Sequence, residues 1–288
     1  MANEVGINVL RSSKGARVRA GDVLGVLYSG SLLDGDGAPF DANYDFATFS
    51  AIPARQLFTF ELGGAQVIQG WDQALAGRRL GEVLDLTIPS ELAYGSAGAP
   101  PSIPPNAPLR FRVELVGSIP AGESEAIYPS YSELGLSKKL FKQLKAAKPK
   151  VAERKIGTDA ADLLTGGTSK DLLIGLGGDD VLQGNGQADV LIGGPGGSRY
   201  VYADLNDSPA RRGRQDSILG FQSSSDSIDL SLLGDSLVYI GKRAFSQTAG
   251  EVRFAKGSLL LDHDGDGRAE LEILLTGVKR FSGGSLVL

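Results

Sequence analysis

At 288 residues and a formal net charge of −5, the chain has room for two domains and no overall basicity that would draw nucleic acid as a main partner. It has no cysteine, which excludes disulfides, thiolate metal sites and cysteine nucleophiles. Its one histidine, His263, rules out a His-Glu-x-x-His zinc site and is the single candidate for any Ser-His-Asp triad.

Met1 to Lys14 lacks the basic region and apolar run of a cleaved secretory leader, and the sequence offers no membrane span. From Asp22 onward, apolar residues alternate in short runs bounded by turns: Val23 to Tyr28, Leu57 to Leu62, Val83 to Ile88 and Leu109 to Val116. This is the patterning of antiparallel sheet. Trp71 to Ala76 predicts one short helix, with Asp72 in its first turn and Gly77 just past its end. An antiparallel sheet wrapped on one short helix makes a small α+β domain over 1–118.

Five local motifs sharpen that reading. Tyr28-Ser29-Gly30, Phe40-Asp41, Val67 through Asp72, Ile88-Pro89-Ser90 ending at Tyr94-Gly95, and Ile103 through Phe111 occur in that order. Together they resemble an FKBP-type peptidyl-prolyl isomerase over about residues 16–118. The resemblance implies an apolar pocket built from Tyr28, Phe40, Phe58, Val67, Ile68, Trp71, Ile103 and Phe111, with Trp71 as its floor and Asp41 and Tyr94 as its polar rim. Phe60 is expected in the ordinary core. It also implies catalysis without nucleophile, metal or cofactor. The Ile68 N–H and the Tyr94 hydroxyl would anchor substrate carbonyls while the dry pocket favours the twisted imide. Proline-containing peptides or proteins and macrolide immunophilin ligands are the implied partners. The chain departs from the family at Ala99, where a histidine is frequent, and at Ser102, where an apolar residue is usual. The loop Asp36 to Ile52 is longer than in the smallest members, which is expected to reshape one wall.

Residues 119–156 read as a Pro/Lys-rich linker. Pro120, Pro129 and Pro149 punctuate it, and Leu136, Leu140, Phe141 and Leu144 recur at helical spacing among eight basic residues between Lys138 and Lys155. The expected role is an amphipathic helix resting its apolar stripe on a neighbour.

From Gly157 to Val201 the chain repeats every nine residues. Asp162, Asp171, Asp180 and Asp189 share one place in the unit and Leu164, Leu173, Leu182 and Leu191 another. Such a period predicts stacked coils, two units per coil, each leucine on a short inward-facing strand. The aspartates would meet carbonyl oxygens from the turn two units later, drawn from Gly166, Gly175, Gly177, Gly184 and Gly186. An all-oxygen cage suits Ca²⁺. The units resemble the nonapeptides of RTX exoproteins, G-G-x-G-x-D-x-L-x, and so predict a parallel β-roll over 157–201 with about three ions. Between residues 157 and 194 there are six acidic residues against Lys170, so calcium binding and folding are expected to be one event. The fifth unit carries Ser198 and Tyr200 where Asp and Leu belong, which suits a terminal cap.

Residues 202–288 are expected as a β-rich cap. Asp216 to Phe221, Asp226 to Ser231, Ala244 to Ser246 and Ala249 to Arg253 resemble the module that follows the repeats in serralysin-type exoproteins. Asp262, Asp264 and Asp266 have the spacing of the first ligands of an EF-hand, but Ile273 stands where a bidentate glutamate belongs, leaving Glu270 as the substitute. The reading competes with a polar hairpin turn, and His263 is expected to be a bystander. Phe281 to Leu288 ends in an apolar patch like the uncleaved signal of proteins exported by type I machinery, although Ser285 replaces the usual acidic residue. Two functions follow: a secreted isomerase carried on a calcium-folded roll, or a non-catalytic calcium-scaffolded extracellular binding protein.

Overall fold

The computed structural model describes residues 4–53, 55–147, 149 and 151–288. The chain divides into two compact units, Met1–Leu136 and Ser137–Leu288. The first contains strands β1 (Gly6–Arg11), β2 (Val23–Leu32), β3 (Pro39–Ala42), β4 (Tyr44–Asp45), β5 (Ser50–Ala51) and β6 (Phe58–Glu61), helix α1 (Gln69–Leu75), and strands β7 (Val83–Ile88) and β8 (Leu109–Ile119). The sheet order is β1-β7-β8-β2-β3, with β6 also pairing to β2, and every pairing is antiparallel.

Alternation decides which face is inside. In β8, Leu109, Phe111, Val113 and Leu115 are buried and the residues between them are not. They pack with Leu24 and Val26 of β2, Leu84, Leu86 and Ile88 of β7, and Trp71, Ala74 and Leu75 of α1. The four strands and the helix expected from sequence are present, and β2 and β8 run past their expected ends. The edge strand β1 is not legible because Ile7 and Val9 lie exposed and its one buried side chain is the charged Arg11. The long loop after β2 folds as β3 and the β4–β5 hairpin and buries Phe46 and Phe49.

The segment expected as linker is divided between the units. Leu134 and Leu136 are buried, the Lys14 N–H donates to the Glu133 carbonyl at 2.8 Å, and Ser118 bridges Ile127, so 119–136 closes over the first unit. Apolar side chains that find a core do not remain tether. Leu136 therefore lies outside the helical stripe. Helix α2 (Lys138–Ala147) belongs to the second unit, where Leu144 is buried and Leu140 packs over Gly220.

The second unit continues with β9 (Glu153–Ile156), β10 (Leu163–Thr165), β11 (Asp171–Ile174), β12 (Val181–Gln183), β13 (Val190–Ile192), β14 (Arg199–Val201), β15 (Asp216–Leu219) and β16 (Ser227–Asp229). β17 (Val238–Tyr239), β18 (Glu251–Ala255), β19 (Ser258–Asp262), β20 (Leu271–Thr276) and β21 (Leu286–Val287) complete it. Two parallel ladders form, β10-β12-β14-β16-β21 and β9-β11-β13-β15-β20. Leu164 stands opposite Leu182, and Leu173 opposite Leu191, each pair two nonapeptides apart and fully buried.

The pairing does not stop at Val201, where the sequence reading ended the repeats. Tyr200 faces Ile228, which faces Leu286; Leu191 faces Ile218, which faces Leu275. A parallel ladder needs an apolar residue in phase with its neighbour, and Asp216-x-Ile218 and Asp226-x-Ile228 supply it without nine-residue spacing. Toward the outer edge β18, β19 and β20 pair antiparallel, and β17 pairs parallel to β18.

Candidate functional site

Sheet alternation and the entry to α1 aim one set of side chains at a common hollow. Tyr28 comes from β2, Phe40 and Asp41 from β3, and Phe58 from β6; Val67, Ile68 and Trp71 come from the start of α1, Tyr94 from the loop after β7, and Phe111 from β8. They line one open cavity of about 150 Å³, joined by Gln66. Trp71 is the buried floor, with its ring 5.2 Å from Phe111 and 5.5 Å from Tyr28, both edge-on, and Phe40 edge-on to Phe111 at 5.7 Å. Edge-to-face packing fixes these rings and leaves an apolar wall. Ile103 does not line this hollow: it is 4% exposed, packs in the same hydrophobic core as Trp71 and Phe111, and is tied to Ala99 by paired backbone bonds of 2.8 and 2.9 Å. Phe60 is core, as expected. Size alone would point elsewhere, since a hollow of about 510 Å³ lies against Ser29, Ser31, Arg110 and Arg112. Ser29 and Ser31 alternate with Tyr28 and Gly30, so that hollow is on the outer face of the sheet.

The rim is polar. The Tyr28 hydroxyl donates to Asp41 Oδ2 at 2.6 Å, and Arg55 Nη1 stands 3.7 Å from Asp41 Oδ1, a solvent-exposed pair of little energetic weight. Burial first, and Asp41 second, raise the Tyr28 pKa above its ordinary value, so the phenol stays a protonated donor. Buried Asn43 pins the wall: it accepts from the Tyr28 N–H at 2.7 Å and donates to the Val26 carbonyl at 3.0 Å. The Trp71 indole N–H has no acceptor among the described residues. Tyr94 is exposed, with its hydroxyl available at the mouth.

In the second unit the repeat aspartates stack in two columns. The Asp162 N–H donates to Asp180 Oδ1 at 3.0 Å, the Asp171 N–H to Asp189 Oδ1 at 2.7 Å, and the Asp189 N–H to Asp216 Oδ1 at 2.8 Å. The first column continues from Ser198, in an aspartate place, to Asp226 at 3.2 Å. Oδ2 of Asp180, Asp189 and Asp216 is buried and has no partner among the described residues. Burial pushes the Asp180 carboxyl up to about 7 and that of Asp189 up to about 8; Asp216 is raised well above its usual range by burial and then by the charge of Asp189.

A Cβ on Gly157, Gly166 or Gly175 would collide with the carboxylate of its own unit, respectively Asp162, Asp171 and Asp180. It would also collide with the carbonyl two units on, from Gly175, Gly184 and Gly193. Carboxylate and carbonyl oxygens thus converge where only glycine leaves room, and this donor set fits a hard cation. The Gly166 carbonyl itself accepts from Asn185 Nδ2 at 2.7 Å; Gly177 stacks over Asp159, and Gly186 over Thr168. Separately, Asp262, Asp264, Asp266 and Glu270 each bring a carboxylate oxygen within 4.8 Å of the others. Asp262 also accepts from the Gly265 and Gly267 N–H groups at 2.8 and 2.9 Å.

Comparison with known proteins separates the two units. Residues 14–116 match the FKBP-type peptidyl-prolyl cis-trans isomerase family. The FK506-binding protein 2 of Kluyveromyces lactis is 43% identical over 115 residues, which are 39% of this chain and 76% of that protein. The chain belongs to the FKBP-type peptidyl-prolyl cis-trans isomerase family. Peptidyl-prolyl cis-trans isomerase FKBP2 of Mus musculus is 51% identical over 98 residues, 34% of this chain and 63% of the relative, so the chain spans a little under two thirds of that protein. The FK506-binding protein 4 of Dictyostelium discoideum is 45% identical over 102 residues, 35% of this chain and 25% of the relative. Residues 146–287 match the family described as peptidase M10 serralysin C terminal.

Three features of the FKBP-type unit escaped the sequence reading. Gln66 is the neighbour of Val67 in a motif already singled out and gave a local signal. Asn43 and Arg55 did not, because their partners are set by how the loop between β2 and β6 folds back. In the serralysin-type unit Asp216 and Asp226 were visible as Asp-x-Ile triplets, but their place in the columns depends on strand pairing across 27 and 28 residues.

Proposed function

We propose that the chain is a proline isomerase of polypeptide clients, carried on a calcium-folded β-roll. The observation that carries this reading is the convergence of nine family-pattern residues on one open aromatic cavity of about 150 Å³, large enough for a pyrrolidine ring. An X-Pro imide rotates over a barrier of about 18–20 kcal/mol because resonance must be lost. At the twisted state the carbonyl and nitrogen carry less opposed charge, so a site stripped of water stabilises it relative to the planar imide. The proline ring sits on Trp71 between Phe40 and Phe111. The Ile68 N–H, at the unsatisfied start of α1, and the Tyr94 hydroxyl hold the flanking carbonyls. The Tyr28–Asp41 pair, with Tyr28 kept protonated, orients the rim without moving a proton. Macrolides of the FK506 kind occupy the same cavity.

Calcium, when bound, supplies the charge that lets the buried carboxylates remain ionised together. Asp162, Asp171, Asp180, Asp189 and Asp216 hold it from the columns, with the Gly175, Gly184 and Gly193 carbonyls. Asp262, Asp264, Asp266 and Glu270 form the further oxygen cluster. The serralysin-type match supports secretion by type I machinery, in which low cytosolic calcium leaves this unit threadable and calcium outside folds it. The deciding experiment is exchange spectroscopy on a Leu-Pro peptide with the intact chain, in calcium and in chelator. Catalysed cis/trans exchange in both is expected, and a rate equal to buffer would leave a peptide-binding fold without catalysis.

A further inference from the structure

The carboxy-terminal unit holds a hollow of about 800 Å³ between the β18–β19 turn and the residues that follow β20. Its charged side chains are Lys242, Arg253, Lys256 and Lys279, and among the described residues no carboxylate lines it. None of the four makes an ion pair among the described residues. Gathering like charges around one open hollow focuses a positive potential that attracts an anion, most strongly at low salt.

Two of the four cations have a defined setting, the Arg253 side chain and the Lys256 backbone, while the Lys242, Lys256 and Lys279 side chains are exposed. Arg253 lies 5.4 Å from the Phe245 ring centroid, its Nη2 donates to the Lys242 carbonyl at 3.3 Å, and its buried Nε has no acceptor among the described residues. Lys256 and Gly257 form the two-residue turn between paired Ala255 and Ser258, with φ of +52° and +87°. Such turns favour Asn-Gly, since asparagine tolerates the left-handed region and lysine does not. A lysine there costs stability, and its charge is what it adds. Helix α2 borders the same place: a Cβ on Gly277, which lines the hollow, would meet Gln143 Nε2 at 3.4 Å. Lys139, four residues before Gln143 and so on the same face of that helix, is exposed and adds to the positive sign.

We propose that this hollow binds a compact ligand bearing several phosphate or sulfate groups. The volume suits a small molecule or one headgroup, ammonium groups supply point charges, and the guanidinium fork of Arg253 suits a tetrahedral oxyanion. The reading is independent of isomerase activity.

The test is calorimetric titration of the intact, calcium-loaded chain with sucrose octasulfate at low salt. Saturable binding that weakens steeply as salt rises is expected. Lys242→Ala with Lys279→Ala, both in the folded state by circular dichroism, is expected to weaken it about tenfold. Lys256→Asn is expected to weaken binding several-fold while raising Tm, a pairing of signs that a merely structural lysine would not give. Flotation with phosphatidylglycerol vesicles separates the sources: vesicle binding released by octasulfate means a membrane-borne headgroup, and octasulfate binding without vesicle binding means a soluble ligand. No titratable binding, equal affinity in the double variant, or vesicle binding that octasulfate cannot displace would overturn the proposal.

Discussion

Gly30 of β2 offers a direct test of where the substrate sits. A Cβ built there would collide with Phe111 Cε1 and lies 2.8 Å from Cδ1 and 2.9 Å from Cζ, so Gly30→Ala forces the ring edge away by more than about 1 Å to reach ordinary carbon contact. Phe111 is already edge-on to Phe40 and Trp71, and the space left to it is the cavity. Overpacking of this kind costs about 1–3 kcal/mol, while replacing glycine by alanine returns about 0.4–1 kcal/mol through the unfolded chain. The net loss is about 1–2 kcal/mol, a fall in Tm of roughly 4–10 °C. An aromatic edge displaced into so small a hollow blocks the proline ring, and kcat/KM is expected to fall by at least about tenfold. Exchange spectroscopy on a Leu-Pro peptide and a thermal melt are the two assays. A lowered Tm with undiminished catalysis would refute the placement of substrate against Phe111.

Chelation of calcium from the intact chain is expected to remove most β signal from the carboxy-terminal unit in far-ultraviolet circular dichroism while Trp71 fluorescence stays native; an unchanged spectrum would separate folding from the carboxylate columns. Without metal, that unit is expected to lose stability as pH rises from about 4 to 8. Folded Asp180 and Asp189, raised to about 7 and about 8, retain protons that the unfolded chain has already released. Far-ultraviolet circular dichroism in chelator at pH 5 and pH 8 checks this, and more β signal at pH 8 than at pH 5 would contradict it. Arg11 is fully buried, ion-paired with Glu114, and donates from Nε to the Gly81 carbonyl at 2.8 Å. Arg11→Ala, which strands that partner, is expected to cost about 3–5 kcal/mol in urea unfolding, whereas an exposed Arg110→Ala should cost under about 1 kcal/mol.

What the sequence determined by itself was chemistry with a local address. The aromatic residues of the cavity sit in short motifs whose order is diagnostic, and the repeat aspartates and leucines announce themselves by phase, because a period fixes which side chains share a face whatever the wider fold. Tertiary structure decided everything that depends on a distant neighbour. Ile103, expected in the cavity wall, is buried in the core and paired through its backbone with Ala99, a pairing no local motif announces. Leu134 and Leu136 left the linker because the first unit offered them a place to bury. The parallel ladders ran on to β20 and β21 because pairing needs an in-phase apolar residue on a strand, and chain spacing does not reveal which strand will be adjacent. Burial and pairing are settled between segments far apart in sequence, and no single segment carries that information.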